Sequence, residues 1–268
     1  MRKSFTAGVA TCLTALLLAL SACSGPLGAD TDLADTEPPY VSPYDRAGLL
    51  RENGRFTYSE NGTVLSRMGI DVSSHQGVID WQTVAGDGIE FAFLRLGYRG
   101  ATEGTINIDE YFETNFKGAT DAGIPVGTYF FSQALDETEA RAEAEYVLNV
   151  LQGRTLDYPV VYDFEPVFLD TGAGRANAIS DFQRTRNAVA FCELIEAAGY
   201  ATMIYGNKED IASYYLDTLG GRDIWFAEYD VDFPSGRFDF TIWQYTSSGR
   251  VAGIDTRVDM NIELIHKG

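Results

Sequence analysis

The stretch VVYDFEP, residues 160–166, places two carboxylates one residue apart at the end of a run of β-forming residues. Side chains at positions i and i+2 of a β-strand point to the same side, so Asp163 and Glu165 should share one face while Phe164 points to the other. Two strand steps of about 3.3 Å would separate their Cβ atoms by roughly 6 to 7 Å. The pair could act in catalysis if the strand ends at a cleft, or it could form salt bridges with arginines such as Arg95.

Short apolar strands alternate with helices on both sides of this stretch. The hydrophobic pattern predicts strands at 68–72, 91–96, 126–131, 159–164, 201–205, 223–227, 240–245 and 257–261. It predicts helices at 80–86, 109–122, 136–151, 180–198 and 208–216. Eight strands interleaved with helices indicate an α/β fold, a parallel (β/α)8 barrel that is irregular because long helices are lacking between the last three strands.

The first 22 residues have the layout of a secretory signal peptide. Two basic residues precede an apolar stretch from about Gly8 to Leu20, which is too short for a stable membrane span. The ending LSAC resembles a bacterial lipobox, which implies that Cys23 is diacylated and becomes the mature N-terminus. An ordinary cleaved signal with an incidental cysteine is the alternative. We therefore expect an exported protein, held on the cell membrane by its lipid and facing the cell wall.

A polar segment separates this signal from the predicted domain. Residues 23–55 are rich in Gly, Pro, Ser, Thr and Asp and predict a flexible acidic tether. The Asn-Gly pair at 61–62 lies between short β-rich runs, which is typical of a tight hairpin, so ordered structure is expected to begin near Phe56. Residues 56–268 are then one domain with a barrel core at 68–266.

Charge and cysteine content exclude several classes of protein. The chain has 39 acidic and 20 basic residues, a formal net charge of −19, which argues against binding nucleic acid. Its three cysteines predict no internal disulfide, because Cys12 lies in the signal, Cys23 would carry lipid and Cys192 is interpreted as a small core residue of a helix. The two histidines, His75 and His266, have no Cys/His cluster beside them, so no metal and no cofactor are predicted.

Acidic residues also mark the first and last predicted strands. GIDVSSHQG places Asp71 at the end of the first strand, and TRVDMNIE places Asp259 on the last. These strands are neighbours in a closed barrel, so both aspartates are expected to share one pocket with Asp163 and Glu165. Repulsion and burial would raise one carboxyl pKa and leave a protonated acid beside a charged base, which glycoside hydrolysis needs. For each acid alone, a salt bridge or a helix cap is the alternative.

Sugar-binding clefts also need flat apolar faces and polar donors. The predicted strand ends supply three candidate substrate-binding residues, Tyr129, Tyr205 and Gln244. Aromatic residues in strands more often fill a core, and this alternative applies most to the other aromatics of these strands, Trp225, Tyr229, Trp243 and Tyr245.

Seven motifs, taken in order, resemble those of glycoside hydrolase family 25, the Chalaropsis-type lysozymes: GIDVSSHQGVIDW, FAFLRLGYRG, GIPVGTYFF, PVVYDFEP, IWFAEYD, IWQYTSSGRVAGI and VDMN. The resemblance implies a muramidase that cleaves the β-1,4 bond between N-acetylmuramic acid and N-acetylglucosamine in peptidoglycan. It implies Glu165 as the general acid, with Asp71 and Asp259 as flanking acids. It also implies that the substrate's N-acetyl group is the nucleophile and that Asp163 steadies the resulting oxazolinium ion.

The chain departs from the family pattern on the third strand. Many members of the family have histidine where this chain has Phe130. Because Phe130 should point away from Tyr129, which the resemblance places near the substrate together with Tyr205, we expect the acids to remain functional.

Two other functions fit parts of the pattern. A chitinase-like hydrolase normally shows a D-x-x-D-x-D-x-E run, of which this chain has only the last two acids. A non-catalytic peptidoglycan-binding lipoprotein would retain the cleft but would more often have lost Glu165 or Asp163. The leading interpretation is a lysozyme whose partners are peptidoglycan and, through its lipid anchor, the membrane.

Overall fold

The computed structural model describes residues 40–170 and 172–265, so the predicted signal peptide and Cys23 lie outside the described residues. Within them, strands β1 to β14 lie at Leu49–Glu52, Arg55–Glu60, Thr63–Val64, Ser66–Val72, Phe91–Arg99, Ile106–Ile108, Val126–Phe131, Val160–Asp163, Phe168–Leu169, Gly172–Ala173, Thr202–Asn207, Asp223–Ala227, Ile242–Gly249 and Val258–Leu264. Helices α1 to α5 lie at Trp81–Gly86, Phe112–Asp121, Glu137–Leu151, Asp181–Ala197 and Lys208–Ala212.

Eight of these strands close into a barrel. Their order around it is β4, β5, β7, β8, β11, β12, β13 and β14, and β14 pairs back to β4. The neighbours from β4 to β13 are parallel. Each predicted strand and helix is present with its ends shifted by a few residues. The predicted α/β barrel with few helices in its C-terminal part is therefore confirmed.

The last strand corrects the prediction of a fully parallel barrel. β14 runs antiparallel to both β13 and β4. The chain between β13 and β14, residues 250–257, contains no helix. A connection without a crossover helix returns the chain in the opposite direction, whereas parallel neighbours need a longer one. As a result, the start of β14 lies at the rim where the parallel strands end.

Aromatic side chains fill the barrel interior. Phe91, Phe93 and Trp225 belong to one buried cluster, in which the rings of Phe93 and Trp225 stack at 4.7 Å between centroids. The two phenylalanines fit because facing positions lack side chains. A Cβ atom on Gly69 would lie 2.2 Å from the Phe91 ring, and one on Gly127 would lie 2.4 Å from the Phe93 ring. The barrel interior is thus a packed core rather than an open channel.

The helix layer packs against the outward side chains of the barrel. Phe130 on β7 contacts Tyr146 of α3 and Phe191 of α4, whereas its neighbour Tyr129 packs on the interior cluster. The expectation that Phe130 points away from Tyr129 is therefore confirmed. Cys192 is a free cysteine buried in α4.

Ordered structure begins earlier than predicted. The Tyr44 side chain is buried, and its hydroxyl donates a hydrogen bond to the carbonyl of Phe240 at 2.8 Å. β1 pairs with β2, and the turn between β2 and β3 has positive φ at Asn61 and Gly62, as the hairpin prediction requires. Residues 40–55 are therefore folded rather than part of a flexible tether, and the rest of the predicted tether lies outside the described residues.

Candidate active site

The mouth of the barrel holds a cavity of about 700 Å³. Its lining includes all four predicted catalytic acids and all three predicted substrate-binding residues, namely Asp71, Asp163, Glu165, Asp259, Tyr129, Tyr205 and Gln244. The fold therefore brings together side chains from six strands and one loop at a single rim. Their catalytic and binding roles stay predictions.

Strand register sets the positions of the acids. Asp71 is the next-to-last residue of β4 and pairs with Asp259, the second residue of β14. Asp163 is the last residue of β8 and pairs with Tyr205 on β11. Glu165 follows β8 in the loop, where its carbonyl accepts a hydrogen bond from the Gln133 side chain at 2.9 Å.

A network of amide side chains orients Asp71. The side-chain amides of Gln244 and Asn261 both donate to Asp71 Oδ2, at 2.7 and 2.8 Å. Trp225 Nε1 in turn donates to Asn261 Oδ1 at 2.7 Å. Burial and the charge of Asp259 raise the pKa of Asp71 well above its usual range, while these two donors oppose the rise.

Gln244 links Asp71 to two tyrosines. Its Oε1 atom accepts hydrogen bonds from the hydroxyls of Tyr205 and Tyr229, at 2.8 and 2.6 Å. Tyr229 and Trp225 also line the cavity, whereas Trp243 is buried in the outer core. The sequence prediction placed Gln244 as a sugar-binding residue. In the structure Gln244 connects the hydroxyls of Tyr205 and Tyr229 to Asp71, and its role in sugar binding stays a prediction.

Asp163 differs from Asp71 in its hydrogen bonding. The residue is only 4% exposed, and its Oδ1 atom is buried without a hydrogen-bond partner among the described residues. Burial raises the pKa of Asp163 well above its usual range, and the charges of Glu165 and Asp71 raise it further, while Arg95 opposes them. A buried hydrogen-bond acceptor without a donor costs free energy. A ligand that supplies the donor would therefore bind favourably at Asp163.

Glu165 has the pKa of a proton donor at neutral pH. Burial raises its pKa to about 7, and the charges of Asp210 and Asp259 contribute. Burial also raises the pKa of Asp259 to about 6. The raised pKa keeps the carboxyl of Glu165 available as a proton donor near neutral pH.

Asp210 is a residue of this electrostatic environment that the sequence did not reveal. It is buried on α5, where its backbone N–H donates to the side chain of Asn207 at 3.0 Å. In the sequence, N-x-x-D at a helix start indicates only a helix cap. Its proximity to Glu165 arises from tertiary packing, so no local signal could have identified it.

A second cavity of about 420 Å³ adjoins the first. Both are lined by Glu165, Tyr205 and Tyr229, and the second also by Lys208 and Glu228. Glu165 therefore lies where the two cavities meet. A linear polymer could pass the acid with units bound on both sides of it.

The described residues contain neither a metal-binding cluster nor a membrane-spanning helix. There, no group of three or more His, Cys, Asp or Glu side chains is arranged to hold a metal ion. Within the same residues, no helix has the length and apolarity needed to cross a bilayer.

The family of the chain follows from its similarity to known proteins. Residues 70–254 match glycosyl hydrolases family 25. The chain belongs to this family. The matched residues include Asp71, Asp163 and Glu165, and Asp259 follows five residues later on β14. The resemblance that the seven motifs indicated is therefore confirmed.

Two lysozymes are among the proteins to which the chain is similar. The autolytic lysozyme of Clostridium acetobutylicum is 28% identical over 197 residues, which cover 72% of this chain and 54% of that protein. Lysozyme M1 of Streptomyces globisporus is 29% identical over 206 residues, covering 72% and 66%. This chain thus spans about half the length of the first relative.

Solved structures share the barrel. The modular autolysin LytC from Streptococcus pneumoniae superimposes with a TM-score of 0.65 and 25% identity, covering 80% of this chain and 52% of LytC. A family 25 glycosyl hydrolase from Bacillus anthracis has a TM-score of 0.63 and 23% identity, covering 80% of this chain and 94% of that chain. The second similarity concerns the fold alone.

Proposed function

We propose that this protein is a lysozyme, an N-acetylmuramidase that hydrolyses the β-1,4 bond between N-acetylmuramic acid and N-acetylglucosamine in peptidoglycan. The observation that carries the proposal is the position of Glu165, an acid with a pKa raised to about 7 at the junction of two cavities. Family membership and the two lysozymes among its relatives support the choice of substrate.

Glu165 is the general acid in this proposal. In its protonated form it donates a proton to the glycosidic oxygen, so the leaving sugar departs as an alcohol rather than an alkoxide. The cavities on either side of Glu165 would hold the two sugars that flank this bond. A pKa of about 7 keeps the proton available at neutral pH and still allows its transfer.

Asp163 is the partner carboxylate. As the leaving sugar departs, the acetamido oxygen of the substrate bonds to the anomeric carbon and forms an oxazolinium ion. The nitrogen of this ion bears a hydrogen and shares the positive charge. Its N–H can donate a hydrogen bond to the unpartnered buried Oδ1 of Asp163, whose negative charge stabilises the ion. Water then attacks the anomeric carbon while Glu165, now a carboxylate, takes the water's proton. The product retains its anomeric configuration.

The other acids contribute through their charge. Asp71, Asp210 and Asp259 lie near enough to raise the pKa of Asp163 or Glu165. Carboxylates that repel one another in the empty site stabilise a positive charge that develops among them. The site is therefore complementary to a cationic transition state more than to a neutral sugar.

Membrane anchoring is a separate part of the proposal and is supported by the sequence alone. The lipobox-like LSAC would place diacylated Cys23 in the outer leaflet of the cell membrane, and the exported barrel would then face the cell wall. Metabolic labelling with a radioactive fatty acid tests this. Label that persists in a Cys23→Ser variant would exclude lipidation at Cys23.

Turnover of purified peptidoglycan tests the enzymatic proposal. The protein should release reducing ends, and a Glu165→Gln variant should release none above background. A Glu145→Gln variant, which alters an exposed acid of α3 that lines neither cavity, should retain activity. Sedimentation with peptidoglycan but no reducing ends from any variant would indicate a binding protein. Release from chitin but not from peptidoglycan would indicate a chitinase. NMR that detects an inverted anomer would contradict substrate assistance.

A further inference from the structure

A short hairpin beside the cavity exposes two apolar side chains. β9 and β10 form an antiparallel pair that begins three residues after Glu165. On β9, Phe168 is 83% exposed and Leu169 is 39% exposed. The preceding residue, Val167, lines the large cavity, so the hairpin continues the wall of that cavity outward.

The base of the hairpin is fixed by one asparagine. Asn177 accepts a hydrogen bond from the Val167 backbone N–H at 2.9 Å and donates one to the Val167 carbonyl at 2.8 Å. The backbone N–H of Gly174 donates to the same carbonyl at 2.7 Å. Both the backbone N–H and the carbonyl of Val167 are therefore hydrogen-bonded, and Phe168 projects from an anchored position.

An arginine ties this base to the frame that holds Glu165. The Arg175 backbone N–H donates to the carbonyl of Ala101, a residue of the cavity wall, at 2.8 Å. The Arg175 guanidinium forms two hydrogen bonds with Glu139, at 2.7 and 2.8 Å, and one with the Gln133 carbonyl at 3.0 Å. The Gln133 side chain in turn donates to the carbonyl of Glu165. The hairpin and the acid thus share one support.

We propose that Phe168, with Leu169 beside it, is a stacking platform for a sugar ring of the glycan strand outside the cavity that holds the reacting sugars. An exposed phenyl ring offers a flat apolar face, and the C–H face of a pyranose is its natural partner. Because the backbone beneath it is already fixed, little conformational entropy is lost on binding. The platform rests on the proposed function, since it extends the same groove.

A glycan strand fits this surface better than a second copy of the chain. The hairpin is continuous with the cavity wall through Val167, so a polymer that occupies the cavity would reach Phe168 on leaving it. Each copy carries a formal net charge of −19, which opposes self-association, whereas a sugar ring brings no charge of its own to the contact.

Binding to insoluble peptidoglycan tests the platform, with the full chain carrying Glu165→Gln as the parent so that the polymer is not consumed. Adding Phe168→Ala should weaken binding about tenfold, as expected for the loss of one stacked aromatic ring. Phe168→Trp should retain the affinity, and Phe168→Leu should not, because leucine is apolar but not flat. Phe182→Ala is the matched control, since Phe182 is 59% exposed on α4 and lines a separate cavity.

Three results would overturn the platform. These are unchanged binding by Phe168→Ala, full affinity in Phe168→Leu, and an equal loss in the Phe182→Ala control. Sedimentation velocity adds a fourth, because a dimer that Phe168→Ala dissociates would identify a second copy as the occupant. Failure of the proposed function is a separate outcome. If binding depends on Phe168 but the protein with Glu165 intact shows no turnover, hydrolysis is contradicted and the platform is not. If turnover is normal but binding does not depend on Phe168, the platform is contradicted and hydrolysis is not.

Discussion

Asp259 is paired with Asp71 across the antiparallel ladder of the last and first barrel strands. The pairing exists because β14 runs against its neighbours, which places its second residue beside the next-to-last residue of β4. The charge of Asp259 contributes, after burial, to the raised pKa of Asp71. Because β14 is reversed, the start of the strand lies at the rim and carries Asp259. In a parallel eighth strand, the end of the strand would lie there instead.

The pH dependence of activity should reflect Glu165. Because its pKa is about 7 and the protonated form is the donor, kcat/KM should decline as pH rises through about 7. The measurement is the pH profile of reducing-end release at low substrate concentration. A profile that stays flat to pH 9 would contradict Glu165 as the acid.

Asp210 should influence that profile from outside the cavity. Its charge is the largest contribution to the raised pKa of Glu165 after burial, so Asp210→Asn should move the alkaline limb to lower pH. Glu209→Gln, which removes an exposed neighbouring charge, is the control and should leave the limb in place. Identical limbs in the two variants would show that Asp210 does not tune the acid.

Loss of the Asp163 charge should affect the chemical step. Asp163→Asn keeps the shape of the side chain but removes the negative charge that would stabilise the oxazolinium ion. We expect kcat to fall by about 10²- to 10³-fold with KM changed only a few-fold. Steady-state kinetics on soluble glycan fragments measure both constants. A rise in KM at unchanged kcat would instead assign Asp163 to substrate binding.

Glu165 should make the folded protein less stable as pH rises. Its pKa rises from an ordinary 4.5 to about 7 on folding, so between these values folding takes up a proton and stability falls with increasing pH. Glu165→Gln removes this dependence. The Tm of the variant minus the Tm of the unmodified protein should therefore increase by about 5 °C between pH 4.5 and pH 8. Thermal unfolding at the two pH values measures the gain, and a constant Tm difference would contradict a raised pKa.

The barrel interior should not accept a methyl group at Gly69. The added Cβ of Gly69→Ala would lie 2.2 Å from the ring of Phe91, which is itself enclosed. We expect the free energy of unfolding in urea to fall by about 2 to 3 kcal/mol. Gly86→Ala at the end of α1 meets no atom within 4 Å and should change it by less than about 0.5 kcal/mol. Equal effects of the two variants would contradict a packed interior.

Local patterns were enough to predict most of the barrel and the positions of the acids. Runs of β-formers and helical spacing located every barrel strand, and two-residue periodicity placed Asp163 at the rim with Phe164 buried on the opposite face. Barrel closure then required the first and last strands to be neighbours, which brought Asp71 and Asp259 together. These features depend on residues close in sequence or on one simple topological rule.

Features that depend on distant contacts were not predictable. Residues 40–55 look like a tether in the sequence because the contacts that fix them involve residues far along the chain, such as the hydrogen bond from the Tyr44 hydroxyl to the carbonyl of Phe240. The direction of β14 depends on its connection rather than on its own pattern. The hydrogen bonds from Tyr229 to Gln244 and from Gln244 to Asp71 join separate strands and loops, and no motif records them.

Whether the protein is a muramidase with Glu165 as its acid is best tested by mass spectrometry of the soluble fragments that it releases from purified peptidoglycan, beside a Glu165→Gln control. The unmodified protein should release fragments that end in a reducing N-acetylmuramic acid, and the variant should give at most about a thousandth of that yield. Fragments that end in reducing N-acetylglucosamine, or equal yields from the two proteins, would contradict a muramidase with Glu165 as its acid.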